Sequence, residues 1–199
     1  MILSKLVSFL FHPILMPTYS FFLLFKFVPM FNLFMNLEQK ILIIKVLLLF
    51  TILVPLFFVL LILKIKDISS IYMKNYKERK WPILLSLGSY YIAIRILEMM
   101  HIHYLIINLL IGAIMILFFA AIISNFWKIS LHMMGAGGVV GAFIAIHYFF
   151  TYNIFLLVIL VLCSGLIGFT RIQENAHNLK QVYTGFLFGG CTEYIVFLL

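Results

Sequence analysis

The chain reads as an all-α, polytopic membrane bundle of six or seven transmembrane helices, and three observations carry that reading. Of its 199 residues, 65% are hydrophobic and only 10% are charged, with a mean hydropathy of +1.20. A soluble domain of this size needs far more polar surface. The apolar residues run in stretches of bilayer length, separated by short polar segments. No repeat, low-complexity tract or Gly/Ser/Pro-rich linker divides the chain, so residues 1–199 are read as one transmembrane domain.

Each span has its own justification. The first is expected over residues 14–35, rich in Phe and Leu, with Pro17, Lys26 and Pro29 as irregularities. Residues 1–11 resemble a weak signal peptide, but His12-Pro13 interrupts them and no small-residue cleavage site follows, so the start is read as retained. Residues 41–63 form the cleanest span and would rise roughly 35 Å as a helix. A basic linker over 64–81 follows, and Pro82 suits the first turn of a third span that reaches residue 100. The apolar stretch over 82–124 is too long for one helix, and His101-Ile102-His103 is the natural turn within it. The remaining spans are expected over 104–124, 130–150, 154–170 and 182–199.

The net charge of +8 (14 Lys and Arg against 6 Asp and Glu) sits mainly in the segments between spans. That placement suits anionic lipid headgroups or a phosphorylated substrate rather than nucleic acid. Cys163 and Cys191 both fall inside apolar spans without paired spacing, which argues against a disulfide framework and a zinc site.

Three polar runs stand out: the linker ending in Arg79 and Lys80, the run 128–132 with Lys128, Ser130 and His132, and the run 171–181 with Arg171, Glu174, His177 and Gln181. Two spans separate each from the next, so all three emerge on one membrane face. Arginine forks match phosphate oxygens bidentately, and lysine adds a point charge. Two histidines at one site permit covalent acid–base chemistry, one attacking phosphorus while the other protonates the leaving oxygen. Fixed cations can stabilise that transition state. With no carboxylate cluster or Cys/His ligand set in view, neither a metal nor another cofactor is expected.

These residues resemble the type 2 phosphatidic acid phosphatase superfamily, the membrane lipid phosphate phosphatases, over about residues 74–190. That family shows Lys-x6-Arg-Pro, Pro-Ser-Gly-His and Ser-Arg-x5-His-x3-Asp. Thr170-Arg171-x5-His177-x3-Gln181 matches the third in spacing, with Thr for Ser and Gln for Asp. Ile129-Ser130-Leu131-His132 matches the second at Ser and His, while Glu78-Arg79-Lys80-Trp81-Pro82 keeps an arginine near a proline, with Tyr72 at the lysine position. The resemblance implies a phosphohistidine nucleophile at His177, a proton donor at His132, and phosphate contacts from Arg79, Ser130 and Arg171. Lys128, beside Ser130, is read from its own position as a replacement for the missing lysine, with Lys80 in support. Gln181 accepts the hydrogen bond an aspartate would accept but brings no charge. Glu174, three residues before His177, is a candidate to supply it.

The implied activity is metal-independent dephosphorylation of a lipid phosphate or an isoprenoid (di)phosphate among membrane lipids. The alternative is an inactive member that binds phospholipid headgroups, or a small transporter using the same cationic pocket. The expected location is a bacterial inner (cytoplasmic) membrane. Lys5, Lys64, Lys66, Lys74, Lys77, Lys80 and Lys180 on the motif side place that face in the cytoplasm. Other features have simpler readings. Lys64, Lys66, Lys74 and Lys77 form a solvated collar, and His12, His101, His103 and His147 make interfacial hydrogen bonds. Gly135, Gly137, Gly138 and Gly141 permit close helix packing, and Arg95 pairs with Glu98 three residues on.

Overall fold

A computed structural model describes residues 2–64, 80–150 and 152–199. The chain is an integral membrane protein, an all-α polytopic bundle in which six helices are long and apolar enough to cross a bilayer. The first, Leu3–Phe27, combines α1 (Ile2–Leu10), a 3-10 turn at Pro13–Leu15 and α2 (Met16–Phe27). It begins well before the expected residue 14, and the two prolines explain why. Pro13 occupies the first position of a helical turn, where its missing N–H costs nothing, and His12 Nδ1 caps that turn by accepting from the Ile14 amide (3.3 Å). Pro29 instead holds Val28 in extended backbone (φ −108°, ψ 97°), which terminates α2.

After the short α3 (Met30–Phe34), a capping box between Asn36 and Gln39 starts α4 (Leu37–Leu47). The helix widens into a π-helical stretch at Leu48–Leu53 and continues as α5 (Val54–Lys64). Pro55 has no N–H to return to the preceding turn, which is a recognised cause of such widening. The Ser89 hydroxyl, from the next helix, donates to the Phe50 carbonyl inside this stretch. Ser89→Ala is therefore expected to lower stability by about 1 kcal/mol, read as a fall in the unfolding temperature of the solubilised protein.

The predicted turn between α6 (Lys80–Met99) and α7 (Tyr104–Ile123) is present. His101 adopts the left-handed region (φ 55°), and the amides of His101 and Ile102 return to the Glu98 and Leu97 carbonyls (2.9 and 3.1 Å), a Schellman turn. Arg95 and Glu98 form the expected ion pair on the outside of α6. Next come α8 (Leu131–Phe149), α9 (Phe155–Gln173) and α10 (Leu179–Leu198). Twenty residues give α10 a length of about 30 Å. It is nonetheless not among the six, and it carries Lys180, Gln181 and Glu193.

The bundle is built around α8, most of whose side chains are buried. Its contact with α10 is backbone on backbone. A Cβ added at Gly137 would lie 2.0 Å from the Phe186 carbonyl oxygen, one at Gly141 would lie 2.1 Å from that of Gly190, and one at Gly189 would lie 2.0 Å from that of Met134. The glycines of the fifth span thus pack closely as expected, Gly137 and Gly141 against α10, Gly135 against Met16 of α2 and Gly138 against Ile116 of α7. By contrast α9 turns Val158, Leu162 and Phe169 outward, the last two 68% and 60% exposed, as a lipid-facing surface requires.

Candidate functional site

The turn between α9 and α10 explains the Arg-x5-His spacing. Arg171 lies in the last turn of α9 rather than in a loop. The helix closes with Asn175 in the left-handed region (φ 52°), a conformation asparagine tolerates. The Asn175 and Ala176 amides return to the Ile172 and Arg171 carbonyls (2.9 and 3.1 Å), and the His177 amide also reaches Arg171 (3.2 Å). The chain therefore doubles back and sets His177 beside the end of the helix that carries Arg171. Asn178 and Gln181 then form a reciprocal capping box that starts α10.

That box also orients the histidine. The Gln181 Oε1 accepts from the Asn178 amide (3.2 Å) and lies 3.0 Å from His177 Nδ1. With Nδ1–H donating to this carbonyl, the lone pair of the neutral ring sits on Nε2. His177 itself is buried, 7% exposed. Gln181 thus supplies the positional part of the role expected of it, without a charge.

Glu174 is engaged elsewhere than at His177 Nδ1. Its carboxylate accepts from Arg171 Nη1 (2.7 Å) and from the Ser8 hydroxyl (3.1 Å to each oxygen), while Arg171 Nη1 also donates to Ser8 Oγ (3.1 Å). Physically this follows from Glu174 being the C-cap of α9, three residues from Arg171, an ideal i,i+3 spacing for an ion pair. The pair is partly buried, with the two side chains 14% and 18% exposed.

Ser130 is the N-cap of α8 and is fully buried, and His132 lies in the first turn after it. His132 Nε2 stands 3.1 Å from the Ser8 carbonyl oxygen, and the ring meets His12 edge to face at 5.4 Å between centroids. Arg171, His12 and His177 all act electrostatically on His132, so the two predicted runs meet in one place. Lys128 is half-buried in the turn before Ser130. Arg79 lies outside the described residues. Lys80 opens α6, whose first turn packs Ile83 against Ile116, Ala120 and Ile129, at the same end of the bundle.

Comparison with family models, with curated proteins and with solved structures finds no match. Two of the site's donors are buried and, among the described residues, without a hydrogen-bond partner: Arg171 Nε and Ser130 Oγ. Buried donors are rarely left unpaired, and an ordered water, an ion or a ligand is what usually completes them.

Sequence reasoning missed Ser8 and assigned His12 a headgroup role. Both reach the site because α1 docks on α9, bringing Ser8 to within hydrogen-bond distance of residues more than 160 positions away. The capping pattern of the first helix gives no sign of that docking. The one local hint was the His12-Pro13 break, which turns the chain at the level of His132.

Proposed function

We propose that this chain is a membrane phosphatase of the type 2 phosphatidic acid phosphatase kind, acting on a lipid phosphate or isoprenoid (di)phosphate. The observation that carries the reading is an imidazole whose Nδ1 is held by Gln181, at the same end of the bundle as two buried donors, Arg171 Nε and Ser130 Oγ, that have no partner among the described residues. His177 Nε2 attacks phosphorus, the P–O bond to the alcohol breaks, and His132 gives the departing oxygen a proton. Since His132 Nε2 faces the Ser8 carbonyl, Nδ1 is the nitrogen that exchanges this proton. Water then displaces phosphate from His177, with His132 taking the proton back. Arg171, Lys128 and Arg79 supply the fixed positive charge that a phosphoryl transition state requires.

The polar end faces the cytoplasm in this reading, because the loops on that side hold most of the Lys and Arg. A bacterial inner membrane is the setting proposed. A second reading has its own support. Glu174 neutralises Arg171, and Gln181 leaves His177 without a carboxylate, which suits a protein that binds phospholipid headgroups without turnover.

Phosphate release from phosphatidic acid and farnesyl diphosphate by the detergent-solubilised protein separates the two. Release is expected with or without a chelator, and His132→Ala is expected to reduce it by roughly 10²–10⁴-fold. Headgroup binding with no release under either condition would establish the second reading, and release abolished by chelator would overturn the metal-free mechanism.

A further inference from the structure

Beneath the polar end lies a cavity of about 90 Å³ between α2, α6, α7, α8 and α10. Its walls are apolar, with Phe21, Ile116, Val139 and Ala142 among them, and Ser20 and Tyr90 also line it, the Tyr90 side chain paired with Thr51. The Ser20 hydroxyl is already committed to the Met16 carbonyl (2.9 Å). One acidic side chain lines the cavity, that of Glu193 on α10, only 4% exposed. Among the described residues nothing hydrogen-bonds or ion-pairs with its carboxyl group, and no basic residue lines the cavity.

The fold makes room for this group on purpose-built glycines. A Cβ at Gly112 of α7 would fall 2.4–2.6 Å from all three carboxyl atoms, and one at Gly138 of α8 would lie 3.9 Å from one oxygen. Gly138 is seven residues into α8 from Leu131, which puts Glu193 roughly 10 Å below the polar end, near mid-membrane. An uncompensated carboxylate at that depth is among the costliest groups a membrane protein can hold, so the side chain acts as the neutral acid. In that form it offers one donor and one acceptor and lacks a partner for either.

We propose that this cavity is a binding site for a neutral, single-chain alcohol whose hydroxyl pairs with Glu193. A hydroxyl both donates and accepts, so it satisfies the acid completely, whereas an ester or ketone leaves the acid's own carbonyl unpaired. The hydrocarbon chain lies against the apolar walls and enters past Pro17, Leu117 and Leu131, which are half-exposed at the rim. The site does not depend on phosphoryl chemistry at the polar end.

Carbodiimide labelling tests it on the intact solubilised protein. The hydrophobic reagent dicyclohexylcarbodiimide adds the carboxyl group across its N=C=N unit to leave a stable N-acylurea, which peptide mass spectrometry locates. Labelling is expected at Glu193, whereas a water-soluble carbodiimide is expected to label the outward-facing Glu38 and Glu98 instead. Farnesol is expected to slow the Glu193 reaction severalfold, and dodecylamine at the same concentration is not. In Gly112→Ala the new methyl displaces the carboxyl group, so protection by farnesol is expected to disappear while labelling persists. Absence of label at Glu193, labelling indifferent to farnesol, or protection by the amine alone would each overturn the proposal. The wild-type protection measurement decides it even if a variant fails to fold.

Discussion

Replacing His177 with alanine is expected to abolish phosphate release, by at least about 10³-fold, because no other group in the site takes its place as nucleophile. His132 is not expected to substitute, since its Nε2 is held at the Ser8 carbonyl and Gln181 orients His177 instead. The companion variant is Gln181→Glu. Glutamate is as good as glutamine at the third position of a capping box, and it keeps the side-chain length that spans 3.0 Å to Nδ1. It adds a negative charge to a hydrogen bond that is already aligned. A charge-assisted bond exceeds a neutral one by about 1.4 kcal/mol, which corresponds to roughly a tenfold faster formation of the cationic phosphohistidine. Steady-state phosphate release and acid-labile labelling of the enzyme with a radioactive substrate measure both variants. Undiminished release in His177→Ala would remove that residue from the mechanism. A Gln181→Glu protein no faster than wild type would show that orientation, not charge, is what the site lacks.

Alanine at Gly189 is expected to be the most damaging small substitution in the bundle. The added methyl would stand 2.0 Å from the Met134 carbonyl oxygen, a backbone atom that cannot rotate away. Helices α8 and α10 would have to separate, and their other close approaches at Gly137 and Gly141 would open with them. Overpacking against a flexible side chain costs about 1–3 kcal/mol, and backbone leaves less room to relax, so a loss of about 3 kcal/mol is expected. That corresponds to a fall of roughly 10 °C in the unfolding temperature. Activity should fall further than stability, because Ser130 and His132 ride on α8 while Gln181 rides on α10. Gly165→Ala is the control. A Cβ there meets nothing within 4 Å, and alanine favours the helix by up to about 1 kcal/mol. Equal melting shifts in the two variants would refute the backbone-contact argument.

Much of this architecture could be read from composition and spacing alone, for a physical reason. In a bilayer every backbone polar group must be paired within its own segment, so an apolar run of sufficient length has no option but helix. The turns were equally local. His101 and Asn175 close their helices with residues that accept left-handed backbone, and Asn178 and Gln181 announce the next start. The Arg171–His177 spacing was visible because it is the span of one such turn.

What the hydropathy pattern could not convey was which faces would meet. Apart from α1, the spans have only weak amphipathicity, so periodicity does not mark the buried face of each. Packing alone brought Ser8 and His12 to the polar end, where the Ser8 hydroxyl joins the local Arg171–Glu174 pair. The same packing left Glu193 lining a cavity, with its carboxyl group seated on Gly112. The polar run over 171–181 therefore carried its own geometry in its sequence. Its neighbours were chosen by contacts between helices far apart in the chain, and those depend on shape rather than on local pattern.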